Sequence, residues 1–199
     1  MKNISLLMLI GLFSISLSAS AQENRSDTLY TDLDHDLIKD VITIDRQSSM
    51  IICKLSTQKF KSIRSQELEL DPSSSGIRKT KSGFEYYNNW MRAGYTCQFR
   101  YNPKEKQVQL IGMSRYEFGS ASNDGSGESS VNLLTHDYIG NWNYFDNNKM
   151  KLIPIPSIKK KMIFPAVYLS KYTEKTFYKY QDWCAQLFEK AKAKMLQKG

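Results

Sequence analysis

Residues 95–101 read Tyr-Thr-Cys-Gln-Phe-Arg-Tyr, with apolar or aromatic side chains at the odd positions and polar ones at the even positions. Successive side chains of a strand point to opposite faces, so this alternation sets one face on a core and leaves the other in water. Asn102-Pro-Lys-Glu-Lys106 has the composition of a turn, and Gln107 to Met113 returns as a second strand, which predicts a hairpin over 95–114. Working outward, Ser130-Val-Asn-Leu-Leu-Thr135 and Tyr138-Ile-Gly-Asn-Trp-Asn-Tyr-Phe145 flank a His-Asp turn and predict a second hairpin. Upstream, Val41 to Ile44 and Met50 to Leu55 are short runs rich in branched side chains, parted by a polar stretch. Asp71-Pro-Ser-Ser-Ser-Gly76 and the glycine-rich segment 119–128 read as surface loops. Tyr86 to Trp90 is aromatic without a clear period, and Pro154, Pro156 and Pro165 keep the following region extended or irregular.

The last segment changes period. Phe177, Tyr180, Cys184, Leu187, Phe188, Ala191 and Met195 recur at three- and four-residue steps, predicting an amphipathic helix over 173–197. Thr173 is the expected N-cap, with Glu174 just inside it and lysines crowding the C-terminal end, both suited to the helix dipole. The fold class is therefore α+β: a mostly antiparallel β-sheet over 30–168 closed by a C-terminal helix that lays its apolar stripe on the sheet.

The first residues read as an export signal. Lys2 precedes an apolar run from Ile4 to Ile15, and Ala19-Ser20-Ala21 offers a small-x-small cleavage site, so residues 1–21 are expected to be removed. The run is shorter than the ~20 apolar residues a membrane span needs, and no Cys follows it to carry a lipid. The expected product is a monomeric periplasmic or secreted protein, a single domain over 22–199 without a transmembrane segment. Cys53, Cys97 and Cys184 each sit on the apolar side of an element. They read as buried thiols, with a Cys53–Cys97 bridge as the alternative.

Charge is uneven. Residues 149–199 carry 12 Lys and 3 acidic residues, and every cation there is Lys. Arg is the residue suited to bidentate reading of bases or phosphates, so an all-Lys surface fits diffuse attraction to an anionic envelope polymer, or simply a solvated face.

The candidate chemistry lies in Thr31-Asp-Leu-Asp-His-Asp-Leu-Ile-Lys-Asp40, where acids alternate with spacers just before a strand. Asp32, Asp34, Asp36 and Asp40 occupy positions one, three, five and nine of a calcium-type loop, and the Ile38 carbonyl stands at position seven. Calcium takes six to eight hard oxygen ligands, and four carboxylates gathered without a cation repel one another. Leu37 fills position six, where the sharp turn normally takes Gly, and Thr43 at position twelve excludes an EF-hand.

This loop resembles the calcium loop of FG-GAP and VCBS-type repeats, in which an Asp-rich turn leads directly into a strand. Phe99-Arg-Tyr101, Gln109-Leu-Ile-Gly112 and Ser129 to Thr135 also resemble a group of uncharacterised secreted bacterial proteins with one such loop before a β-rich domain. The resemblance implies a calcium site and no activity. This chain departs from the pattern at Leu37 and at His136, where glycine is usual.

Other groups are less specific. His35 and His136 lack a base–orienter arrangement, and no nucleophile sits in a recognisable setting. Asp124 and Glu128 could act as paired carboxylates of an envelope-glycan hydrolase, or add ligands to the cation. Tyr86, Tyr87, Trp90, Trp142 and Tyr144 could stack on sugars or fill the core. The expected function is a non-enzymatic envelope binding or structural protein with a calcium ion at the start of its sheet; the alternatives are the hydrolase and a Lys-rich polymer binder.

Overall fold

The computed structural model describes residues 27–197. The expected export signal, residues 1–21, lies outside them. The first four strands, β1 (Thr28–Thr31), β2 (Asp40–Asp45), β3 (Met50–Lys54) and β4 (Ser62–Arg64), form an antiparallel sheet in sequence order. The next eight, β5 (Ser75–Thr80), β6 (Gly83–Asn89), β7 (Ala93–Asn102), β8 (Gln107–Glu117), β9 (Gly127–Asn132), β10 (Asp137–Asp146), β11 (Lys151–Pro154) and β12 (Ile158–Lys161), form a second antiparallel sheet. Its strands also run in sequence order, and β11 and β12 share the outer edge of β10. The helix α1 spans Lys175–Leu196. This is the α+β, mostly antiparallel architecture expected from the sequence.

The hairpin read from 95–114 is β7–β8, paired from Ala93↔Glu117 to Asn102↔Gln107 with a bulge at Gln98/Phe99. Tyr95, Cys97 and Phe99 are buried, while Thr96 and Gln98 lie on the open face, as alternation demands. The second predicted hairpin is β9–β10. Tyr86 to Trp90, without a clear period in the sequence, falls largely in β6. There Phe84, Tyr86 and Asn88 point inward and the outward Tyr87 breaks the polar–apolar contrast.

Helix α1 covers the inner face of the large sheet. Phe177 stacks on Tyr95 with ring centroids 3.7 Å apart, Tyr180 donates to or accepts from Ser129 Oγ at 2.7 Å, and Phe188 meets Trp142 edge-on. Full burial of each such side chain contributes about 1.5–3 kcal/mol. The helix starts later than expected. Thr173 accepts only a 3.4 Å bond from the Lys175 N–H, and Glu174 occupies the N-cap position with its side chain turned into the core. Its carboxylate accepts the hydroxyl of Tyr95, the hydroxyl of Tyr86 at 3.3 Å and the Glu69 N–H at 2.6 Å. A buried acid is tolerated here because three donors meet it.

The small sheet joins the same core through Ile42, Ile44, Ile51, Cys53 and Leu55. Arg46 ties the two sheets, pairing with Asp27 and donating to the Ser75 carbonyl at 3.2 Å. All three cysteines are free and buried. Burial pushes the Cys97 thiol up to about 12 and raises those of Cys53 and Cys184, so the thiolates are suppressed. No described helix is long and apolar enough to cross a membrane.

Candidate metal centre

The acidic loop links β1 to β2 and is held at both ends. Leu33 is buried and anchors the loop to the core, and Asp40, the first residue of β2, has no exposed surface. Asp40 organises the backbone around itself: Oδ2 accepts the N–H groups of Leu33 at 2.7 Å and Asp34 at 3.3 Å, and Oδ1 accepts that of Ser56 at 2.7 Å. Asp32 draws in the next turn, with Oδ1 accepting His35 N–H at 2.7 Å and Asp36 N–H at 3.2 Å, and Oδ2 accepting Leu37 N–H at 3.0 Å.

That wrapping forces the chain through left-handed conformations at His35 (φ 66°) and Leu37 (φ 72°). Leu37 is the position-six residue where the sequence lacks the glycine of calcium loops, and the turn is made nonetheless. A bulky residue there costs about 1–2 kcal/mol. The side chain is 94% exposed, so no packing offsets that cost.

Asp32, Asp34 and Asp40 each offer a carboxylate oxygen within 4.8 Å of the others, a group able to hold a metal ion. Asp34 is the informative member. Its Oδ2 accepts the Thr57 hydroxyl, while its Oδ1 is buried and accepts no hydrogen bond. Burial raises the Asp34 pKa above the usual carboxylate value, the Thr57 hydrogen bond opposes that, and the charges of Asp40, Asp36 and Asp32 raise it further. A cation placed beside such an acceptor would both satisfy it and offset the like charges around it. The donor set is wholly oxygen, which suits a hard divalent ion.

Asp36 is placed differently from the other three. Its Oδ2 accepts the Ser56 hydroxyl at 2.7 Å and its Oδ1 the Ile38 N–H at 2.8 Å, and these bonds hold its carboxyl below the usual range. It stands outside the convergent trio. Ile38 is exposed at the turn that Asp36 caps. Ser56 and Thr57, on the 3-10 turn Ser56–Gln58 after β3, close the loop from the other side. Nothing in the spacing of the acidic stretch pointed to them, because they reach it only through the β2–β3 pairing.

The other candidates lie elsewhere. Asp124 accepts the Phe145 N–H at 2.7 Å and pairs with Lys192 of α1 at 2.7 Å. Burial pushes its pKa up, but these partners hold it below the usual value. Glu128 sits exposed on β9, and neither acid belongs to the convergent trio. His35 is exposed. His136 takes a left-handed turn conformation before Asp137, which pairs with Lys161. Tyr86, Trp142 and Tyr144 fill the core, whereas Tyr87 lies outward beneath Arg78 and Trp90 is partly exposed.

Fold and site together define a β-rich α+β protein with a carboxylate group fit for a metal ion at the entry to its first sheet. No family model matches the chain, and no curated protein or solved structure is significantly similar to it.

Proposed function

We propose that the chain is a non-enzymatic secreted or periplasmic binding or structural protein in which a calcium ion, held by Asp32, Asp34 and Asp40, locks the start of the first sheet. The observation that carries this reading is the buried, unsatisfied Oδ1 of Asp34 inside a cluster of like charges. A bound divalent ion would neutralise the repulsion and fix the register at which β1 meets β2, stabilising the fold by linkage. The position-one, -three and -nine spacing and the oxygen-only donor set favour calcium. The export signal and the resemblance to FG-GAP-type loops, both expectations from the sequence, support a role at the cell envelope or beyond it.

The test uses terbium as a luminescent calcium substitute. Tyr101 lies beside Thr57 and senses the charge of Asp34, which makes it a suitable sensitiser. Saturable emission that calcium displaces and that Asp34→Asn removes is the expected result; emission that never saturates would refute the site.

A second reading has its own support. Lys159, Lys160 and Lys161 stand exposed on β12 at the sheet edge, where they also discourage edge-to-edge pairing. They form a basic strip suited to an anionic envelope polymer, whose binding would weaken steeply with salt; retention independent of salt would contradict it.

A further inference from the structure

A cleft of about 330 Å³ opens between the two sheets beside the Ser56–Gln58 turn. Ser56 and Thr57 face the acids, while Gln58 lines the cleft. Three cations line it as well: Lys61 before β4, Arg64 at the end of β4, and Lys106 in the β7–β8 turn. No carboxylate lines it, and none of the three cations has an ion pair among the described residues. Hydrogen bonds from Ser48 hold the Asp45 carboxyl below the usual range, and Arg64 adds to this without pairing with it.

The walls are built rather than incidental. Gln58 Nε2 donates to the Lys106 carbonyl at 2.9 Å, and Gln66 Nε2 donates to the Ser170 carbonyl at 3.0 Å, fixing the β7–β8 turn and the 169–171 turn against the small sheet. β4 is the edge strand of that sheet. Ser65 gives its N–H to Ile51 and Gln66 gives its N–H to Tyr172. Strand alternation therefore directs the N–H groups of Ser62 and Arg64 toward the free edge that borders the cleft. Outward backbone donors and three cationic residues thus border one concave site, with half-buried Ile63 and Tyr168 as its apolar part.

We propose that this cleft binds a small organic molecule through a phosphate or sulfate ester. A tetrahedral oxyanion matches the outward backbone donors and the positive charge that no ion pair neutralises, Arg64 carries a forked donor, and the volume accommodates a sugar-sized ligand. The site does not depend on the metal reading. It differs from the Lys159–Lys161 strip in being more concave, free of carboxylates and equipped with Arg.

The experiment titrates the full chain with glucose 6-phosphate, glucose 6-sulfate and glucose, followed by NMR shifts at constant ionic strength, once in calcium and once in chelator. One ester, or both, is expected to saturate with shifts centred on residues 61–64, 106–108 and 168–170, and the pair of esters identifies which oxyanion is preferred. Glucose is expected to give no saturable shift. Replacing Lys61, Arg64 and Lys106 together by Gln should weaken the ester roughly tenfold or more. All three are exposed, so the fold should persist, and Lys159, Lys160 and Lys161 changed together to Gln should leave binding intact. Equal losses in both variants, equal binding of glucose, or no saturation in either buffer would overturn the proposal. None of these results would alter the terbium result.

Discussion

Replacing Asp34 by Asn should make the protein more stable without metal and less stable with it. The asparagine keeps an oxygen for the Thr57 hydroxyl but removes one negative charge from beside Asp40, Asp36 and Asp32. Individual surface charge pairs are worth about 0.2–1 kcal/mol, so relieving several at a partly buried site should stabilise the metal-free variant by about 1 kcal/mol. For a chain of this size that raises the melting temperature by about 2–4 °C. In calcium at a hundredfold excess over the dissociation constant, the wild type gains about 2.7 kcal/mol, or roughly 5–11 °C. The variant, short of a ligand, should gain little, so the two proteins exchange rank between chelator and calcium. Thermal melts at neutral pH, followed by circular dichroism, measure both effects. A variant that melts below wild type in chelator and rises as far in calcium would refute the reasoning.

Leu37→Gly should raise stability by about 0.5–1 kcal/mol in urea unfolding. It relieves the left-handed strain of a side chain that packs against little, and the greater chain entropy of Gly returns part of the gain; a destabilised variant would show that the strain argument is wrong. Glu174→Ala leaves the hydroxyls of Tyr86 and Tyr95 and the Glu69 N–H without their acceptor, and should cost about 3 kcal/mol or more by the same assay. Asp71 accepts the Ser73 hydroxyl and the N–H groups of Ser73 and Ser74, which lower its pKa to about 2. Its contribution to stability is present above the ordinary carboxylate pKa and is lost as pH falls through about 2, so Asp71→Asn should flatten the acid limb of the stability curve between roughly pH 4 and 2. An unchanged acid limb would remove Asp71 from that account.

The parts of this fold legible in the sequence are those where one face is apolar and the other polar. Tyr95 to Tyr101 alternates so strictly that both the hairpin and its buried face could be read directly, and the Phe177–Met195 stripe did the same for the helix. β6 was obscured because Asn88 is buried while Tyr87 faces outward, inverting the usual signal. β11 and β12 were hidden by prolines and lysines that suit an edge and lack an apolar face. Glu174 read as a first-turn acid matched to the helix dipole. Its three partners come from residues 69, 86 and 95, and no local pattern encodes a contact across such separations. The same division runs through the candidate site. The spacing of the aspartates was visible, along with the awkward Leu37, whereas Ser56 and Thr57 enter only once β2 and β3 have paired. The basic cleft had no sequence signature, since Lys61 and Arg64 come to its lining from one sheet and Lys106 from the other.

The most direct test of the metal account is a crystal structure grown in calcium. It should show a strong density peak bounded by oxygens of Asp32, Asp34 and Asp40, including the Asp34 Oδ1, at about 2.3–2.6 Å. Carboxylates splayed apart around ordinary water in saturating calcium would contradict it.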